Sequence, residues 1–133
     1  SKKYGVDTLE AEHEEAIQRD FGNVVFLQNF PQRTHPFWNM KHGGNGSYNK
    51  VDVLLHGMET FGSAERSTDV AEMRENFYKI SGGRYAGLLF GQFGRERVEA
   101  ELEKYLALEM FPRFGGGIGM TRMARAMKLQ GVL

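Results

Sequence analysis

The sequence predicts an α+β domain with a mainly antiparallel sheet flanked by helices. Three observations lead there. The apolar patterns run in the order helix, three or four strands, three helices, strand, helix, so most of the strands cluster together. His56-Gly57 sits between two apolar runs as a two-residue hairpin turn would. The chain has 133 residues, enough for one domain with a single core and not comfortably for two.

Each element follows from its own residues. DTLEAEHEEAIQRDF (7–21) reads as a helix. Asp7 with Glu10 makes a capping box, and Leu9, His13 or Ala16, Ile17 and Phe21 form an apolar stripe at helical spacing. Gly22 stops it. NVVFLQNF (23–30) is β-branched and aromatic and reads as a strand ended by Pro31. PFWNMK (36–41) reads as a second short strand and HGGNGSYN (42–49) as a polar, glycine-rich loop. VDVLL (51–55) is a third strand, with METFG returning after the turn.

From about Thr68 the period becomes helical, with Val70, Met73, Phe77 and Ile80 on one side until Ser81-Gly82-Gly83 breaks it. In YAGLLFGQF (85–93) two glycines weaken a helix, yet the apolar density favours a buried one. RERVEAELEKYLALEM (95–110) is a helix with Val98, Leu102, Tyr105 and Leu106 inward. GGGIGM is a glycine-rich strand, and TRMARAMKL (121–129) a last helix. There is no internal repeat and no long linker.

Composition narrows the function classes. Lys plus Arg equals Asp plus Glu at 17 each, and a net charge of zero argues against a strongly electrostatic nucleic-acid surface. With no cysteine, disulfides and thiolate metal sites are excluded, which fits the cytosol. No apolar run approaches the length of a membrane span, and the N-terminus has no apolar signal core. The chain opens at Ser1 without a methionine and reads as a cut or engineered chain.

The chemistry concentrates in two stretches. FPRFGGGIGMTRMARAMK (111–128) lacks the lysine of a phosphate-binding P-loop, and its evenly spaced Gly115, Gly117 and Gly119 miss the dinucleotide fingerprint. Alternate glycines in a strand instead clear one face, so that a flat ligand or another backbone can come close. Arg122, at the start of the next helix, can lie over a flat ring. The plainer reading is a glycine-rich bend before a solvated arginine.

The second stretch is VDVLLHGMETFGSAERS (51–67). With a two-residue turn, Leu54 faces Glu59, Asp52 shares that face, and the two carboxylates project together. Such a pair suits Mg²⁺ bridging phosphate oxygens, and Arg66 can pair with a substrate carboxylate. The plainer reading is an exposed, charged hairpin. His13, His35, His42 and His56 have no metal-ligand spacing, Met123 and Met127 read as core, and Trp38 reads as core or the wall of a cleft.

In this order, D-x6-E-x6-R (Asp52, Glu59, Arg66), then helices, then GGGIGMTR, the chain resembles the C-terminal half of a class II aminoacyl-tRNA synthetase catalytic domain. Gly115 to Arg122 looks like that class's motif 3. FPQRTHPFWNMK and HGMETFGSAERSTD are similar to the aspartyl/asparaginyl subgroup, and most of all to the archaeal asparagine synthetases related to asparaginyl-tRNA synthetase. The resemblance covers about residues 23–133.

It implies the antiparallel sheet of that class, ATP and Mg²⁺ as cofactors, and aspartate as substrate. By resemblance Arg122 stacks on adenine, the glycines at 115–119 let adenosine lie against the strand, Asp52 and Glu59 hold Mg²⁺, and Arg66 binds the aspartate side chain. The implied reaction is attack of the aspartate carboxylate on the α-phosphate, then displacement of AMP by ammonia to give asparagine. Motifs 1 and 2 have no counterpart before Asn23, so residues 1–133 read as one partial catalytic domain with about half an active site. Two other readings stand beside this one. One is a fragment of an aspartyl- or asparaginyl-tRNA synthetase, for which the neutral charge gives tRNA no support. The other is an inactive, engineered half-domain. An uncovered sheet edge further predicts a homo-oligomer.

Overall fold

A computed structural model describes residues 2–6, 9–31, 37–44 and 46–133. The elements are a 3-10 turn at Lys2–Tyr4, helix α1 (Ala11–Phe21), strands β1 (Val24–Pro31), β2 (Ser47–Leu55) and β3 (Glu59–Arg66), helix α2 (Val70–Lys79), a 3-10 turn at Ile80–Gly83, helices α3 (Arg84–Phe93) and α4 (Arg95–Leu106), strand β4 (Arg113–Ile118) and helix α5 (Met120–Gln130). The strands form one antiparallel sheet in the order β1-β2-β3-β4. The predicted fold class therefore holds.

The chain divides into two compact units. The first comprises Ser1–Phe30, Lys50–Ala64 and Gly115–Leu133; the second comprises Pro31–Asn49 and Glu65–Phe114. All four strands pass through the first unit, as residues 24–30, 50–55, 59–64 and 115–118, together with α1 and α5.

The hairpin of the first unit forms as its turn residues demand. His56 and Gly57 both have positive φ, 48° and 69°, the pairing that matches the twist of a two-residue hairpin. Leu55 and Met58 close it with reciprocal backbone hydrogen bonds of 2.9 and 3.2 Å. A Cβ on Gly57 would lie 2.7 Å from Gln18 Oε1 and 3.3 Å from the Glu15 backbone, so α1 packs directly on the turn. Below the turn Leu54 pairs with Glu59, as expected, but the register then shifts: Val53 pairs with Phe61 and Asp52 with Gly62. Thr60 is the extra residue of a β-bulge.

The second unit is built on α2, α3 and α4. Asp69 caps α2, its side chain accepting from the Glu72 N–H at 2.9 Å. Trp38, Met73, Phe77, Ala86, Leu102 and Leu106 form the buried cluster, with Trp38 edge-on to Phe77 and to Tyr105 at centroid distances of 5.5 and 5.4 Å.

Four expectations need correction. The described residues of PFWNMK, 37–41, form no strand: Trp38 and Asn39 lie in a turn, and among them only Met40 bridges, to Arg66. Trp38 anchors this segment in the aromatic cluster, and that packing overrides strand propensity. The predicted loop at 42–49 ends early, because Ser47, Tyr48 and Asn49 already belong to β2. Helix α3 forms, but only Ala86 is buried; Leu88 and Phe93 stay exposed. Helix α1 begins at Ala11, with Glu10 at its N-cap and its N–H bonded to His13 Nδ1 at 3.0 Å. Asp7, the predicted cap, lies outside the described residues, as do His35 and Pro36.

Candidate functional site

In the first unit the bulge organises the carboxylates. Asp52 is buried at 4% exposure and pairs with Gly62 instead of the bulky Phe61. A Cβ built on Gly62 would sit 2.9 Å from Glu59 Oε1 and 3.4 Å from Asp52 Oδ1. Both carboxylates therefore lean over the same side-chain-free spot, so the expectation that they project together holds. Asp52 Oδ2 is bonded to Lys50 Nζ, whereas Asp52 Oδ1 is buried with no hydrogen-bond partner. An unsatisfied buried carboxylate oxygen is costly unless something cationic or protic meets it.

Glu59 reports the same crowding. Burial pushes its carboxyl above the usual range, and the nearby Asp52 and Glu14 carboxylates add to the rise against the opposing pull of Lys50 and Arg122. Glu14 on α1 also accepts from the Glu59 backbone N–H at 2.8 Å. Among the described residues no group of three or more His, Asp or Glu side chains could hold a metal alone. Asp52 and Glu59 thus make a two-carboxylate site that fits a hard cation whose other oxygen ligands come from elsewhere, as Mg²⁺ takes them from phosphates.

The glycine strand lies beside this hairpin, and its glycines differ. Gly116, which the alternation argument passed over, is the crowded one: a Cβ there would meet Gly62 O at 2.7 Å and Ser63 Cβ at 2.8 Å. It marks a close approach of β4 to β3. Gly117 faces open space, with nothing within 4 Å of its Cβ position. Gly119 is the N-cap of α5, donates to Thr60 O at 2.9 Å, and lies against the Arg122 side chain. Arg122 turns back over the hairpin, where its Nη1 donates to Glu59 O at 2.6 Å. Gly115 falls in the same strand. Gly62 and Lys50 were not singled out from the sequence. The only signal for Gly62 was its place at the head of a run of small residues, Gly62-Ser63-Ala64, and the bulge that gives it meaning leaves no local mark.

Arg66 belongs to the second unit, at the end of β3, where its Nη1 donates to Asn39 Oδ1 at 3.0 Å. Asn39 also accepts the Ser67 N–H on its backbone, at 2.9 Å. In the same unit His42 Nε2 lies 2.8 Å from the Tyr48 hydroxyl and 3.0 Å from Glu72 Oε1. Burial, with Glu72 nearby, raises the Tyr48 phenol. A cavity of about 390 Å³ opens beside Trp38, walled mainly by Phe77, Leu89, Phe93, Val98 and Leu102. Trp38 is thus both core and wall, as its two expected readings had it. No described helix is long and apolar enough to cross a membrane.

Comparison with known proteins bears on this arrangement. The sequence profile of tRNA synthetases class II (D, K and N) matches residues 1–130. Among curated proteins none matches. The fold is similar to asparaginyl-tRNA synthetase from Pyrococcus horikoshii, with a TM-score of 0.67 and 22% identity over 98% of this chain and 30% of that one. The same synthetase complexed with asparaginyl-adenylate gives 0.66 and 21%, over 96% and 29%. Aspartyl tRNA synthetase from Entamoeba histolytica gives 0.63 and 20%, over 98% and 26%. Identities of this size show a shared fold, and the chain spans less than a third of the length of these structures.

Proposed function

Because the chain belongs to the family of class II tRNA synthetases (D, K and N), we propose that it carries part of an ATP-dependent, aspartate-activating site. The observation that carries this reading is the convergence of Asp52 and Glu59 over Gly62, with a buried Asp52 oxygen left without a partner. These residues would hold Mg²⁺, which when bound supplies charge neutralisation at the triphosphate. Arg122 would swing from the Glu59 carbonyl onto adenine, and the open face at Gly117, with Gly115 and Gly119 in line, would receive the adenosine. Arg66, steadied by Asn39, is the candidate for the carboxylate of aspartate.

In the reaction an oxygen of the aspartate side-chain carboxylate attacks the α-phosphorus of ATP. The new O–P bond forms as the bond to pyrophosphate breaks, leaving aspartyl-adenylate. Ammonia then attacks the acyl carbon, AMP departs with the bonding pair, and asparagine forms after loss of a proton. A second reading makes tRNA the acceptor, as in the aspartyl- and asparaginyl-tRNA synthetases whose fold this chain shares. The exposed Val24 and Phe26 on β1, at 59% and 61% and at one edge of the sheet, support self-association as part of the proposal.

The test is ATP–pyrophosphate exchange with aspartate or asparagine present. Label exchange with aspartate supports the reading. Nucleotide binding without exchange would leave the chain as the inactive half-domain, and exchange with asparagine alone would transfer the reading to the synthetase. Arg122→Ala is expected to weaken ATP binding about tenfold or more, a loss typical of a stacked cation; unchanged affinity in a titration removes its role. Light scattering at high concentration should show a dimer or larger.

A further inference from the structure

Lys50 is not accounted for by the site as described. It lies two residues before Asp52 on β2, so both side chains share a face. Its ammonium bonds Asp52 Oδ2 and sits 3.9 Å from the centroid of the Phe30 ring. The Lys50 side chain is only 22% exposed and that of Asp52 5%, so the pair is screened little by solvent. The other Asp52 oxygen faces the Gly62 spot, where Glu59 Oε1 also points.

We propose that Lys50 is a tethered counter-ion for the Asp52–Glu59 pair, so that the pair takes a divalent cation only together with the phosphates of a nucleotide. The charge balance gives the reason. Two carboxylates and one ammonium together carry a single negative charge. A divalent cation arriving alone turns this half-buried cluster positive, with Arg122 already close by at the Glu59 carbonyl. A polyphosphate arriving with the metal reverses the sign, and the Lys50 ammonium is then free to leave Asp52 for a phosphate oxygen. Without Lys50 the two carboxylates alone balance a divalent cation. The inference rests on the ATP reading above for its nucleotide half only.

The experiment separates the two halves. Mn²⁺ is titrated calorimetrically into the protein and into Lys50→Met and Lys50→Arg, with no nucleotide present. Lys50→Met is expected to bind Mn²⁺ about tenfold more tightly than the protein itself, a usual size for coupling between two ligands at one site. Lys50→Arg, which keeps the cation, should stay near the parent value. Equal affinities in the parent and Lys50→Met, or no uptake by either at millimolar metal, overturn the proposal. Lys50→Gln serves if the methionine variant fails to fold. As a second readout, Mn²⁺ should raise the melting temperature of Lys50→Met more than that of the parent. A final arm titrates ATP with Mg²⁺. If neither protein binds ATP, the ATP reading fails, while the metal-only comparison still decides the role of Lys50.

Discussion

Among the described residues, those buried in the second unit include Trp38, Met73, Phe77, Leu102 and Leu106; in the first they are Ile17, Leu54, Ala64 and Ala126, together with the polar Asp52 and Thr60. The one interior is wide and aromatic. The other is narrow, and it spends part of its burial on a carboxylate that solvation would rather keep outside. Glycine is used differently as well. Gly116 and Gly62 in the first unit stand where backbone and carboxylates come too close for a side chain. Gly87 and Gly91 on α3 of the second meet nothing within 4 Å. The lesson is one of division: apolar burial concentrates in one unit, while the paired carboxylates, Arg122 and the glycine strand sit in the other, with Arg66 left at the end of β3 in the apolar unit.

Substitutions can break or sharpen that contrast. The largest effect is expected for Trp38→Ala, which should cost about 3–5 kcal/mol as a core aromatic-to-alanine change. Urea denaturation measures it, and a loss under about 1 kcal/mol would show that the aromatic cluster is not the main source of stability. Next comes Gly116→Ala, whose Cβ has no room against β3. It should destabilise by about 1–3 kcal/mol, as overpacking does, and a neutral melt would mean that the two strands separate easily.

Gly117→Ala is the opposite case, since its Cβ meets open space. It is expected to gain about 0.4–1 kcal/mol from a less flexible unfolded chain, while weakening ATP binding in a titration if adenosine lies on that face. The smallest effect belongs to Glu59→Gln. The Glu59 carboxyl is raised in the folded chain, so the folded state holds the proton more tightly than the unfolded one. Stability from this group is full below its ordinary value of 4.5 and is lost as pH rises through the raised one. Glu59→Gln should therefore melt slightly higher than the parent at neutral pH, with the advantage fading in acid. An advantage that grows in acid would contradict the crowding at Asp52.

Much of this was legible in the sequence because it is local. The stripe of Val70, Met73 and Phe77 gave α2, the His56-Gly57 turn gave the hairpin, and the hairpin gave the pairing of Leu54 with Glu59. What stayed hidden depends on contacts between distant segments. Residues 36–41 look like a strand until Trp38 is seen packed on Phe77 and Tyr105. The apolar density of α3 suggests burial, yet with two glycines and a single buried alanine the helix leaves Leu88 and Phe93 outside. At the site, Asp52, Glu59, Arg122 and the glycine run were readable from residue type and spacing. Gly116 was not, because alternation says which glycines share a face and nothing about which face a neighbouring strand crowds.

The bulge at Thr60 has a bearing on how this hairpin can change in length. Deleting that one residue would leave composition, charge and hydropathy almost untouched, and the ladder would gain a regular pair. Val53 would still pair with Phe61 and Asp52 with Gly62, because Phe61 would then follow Glu59 directly. A chain that keeps Thr60 but straightens the bulge would instead pair Val53 with Thr60 and Asp52 with Phe61, laying a phenyl ring over the open oxygen. Such a chain would keep every residue and spacing of the motif and lose the space the motif needs.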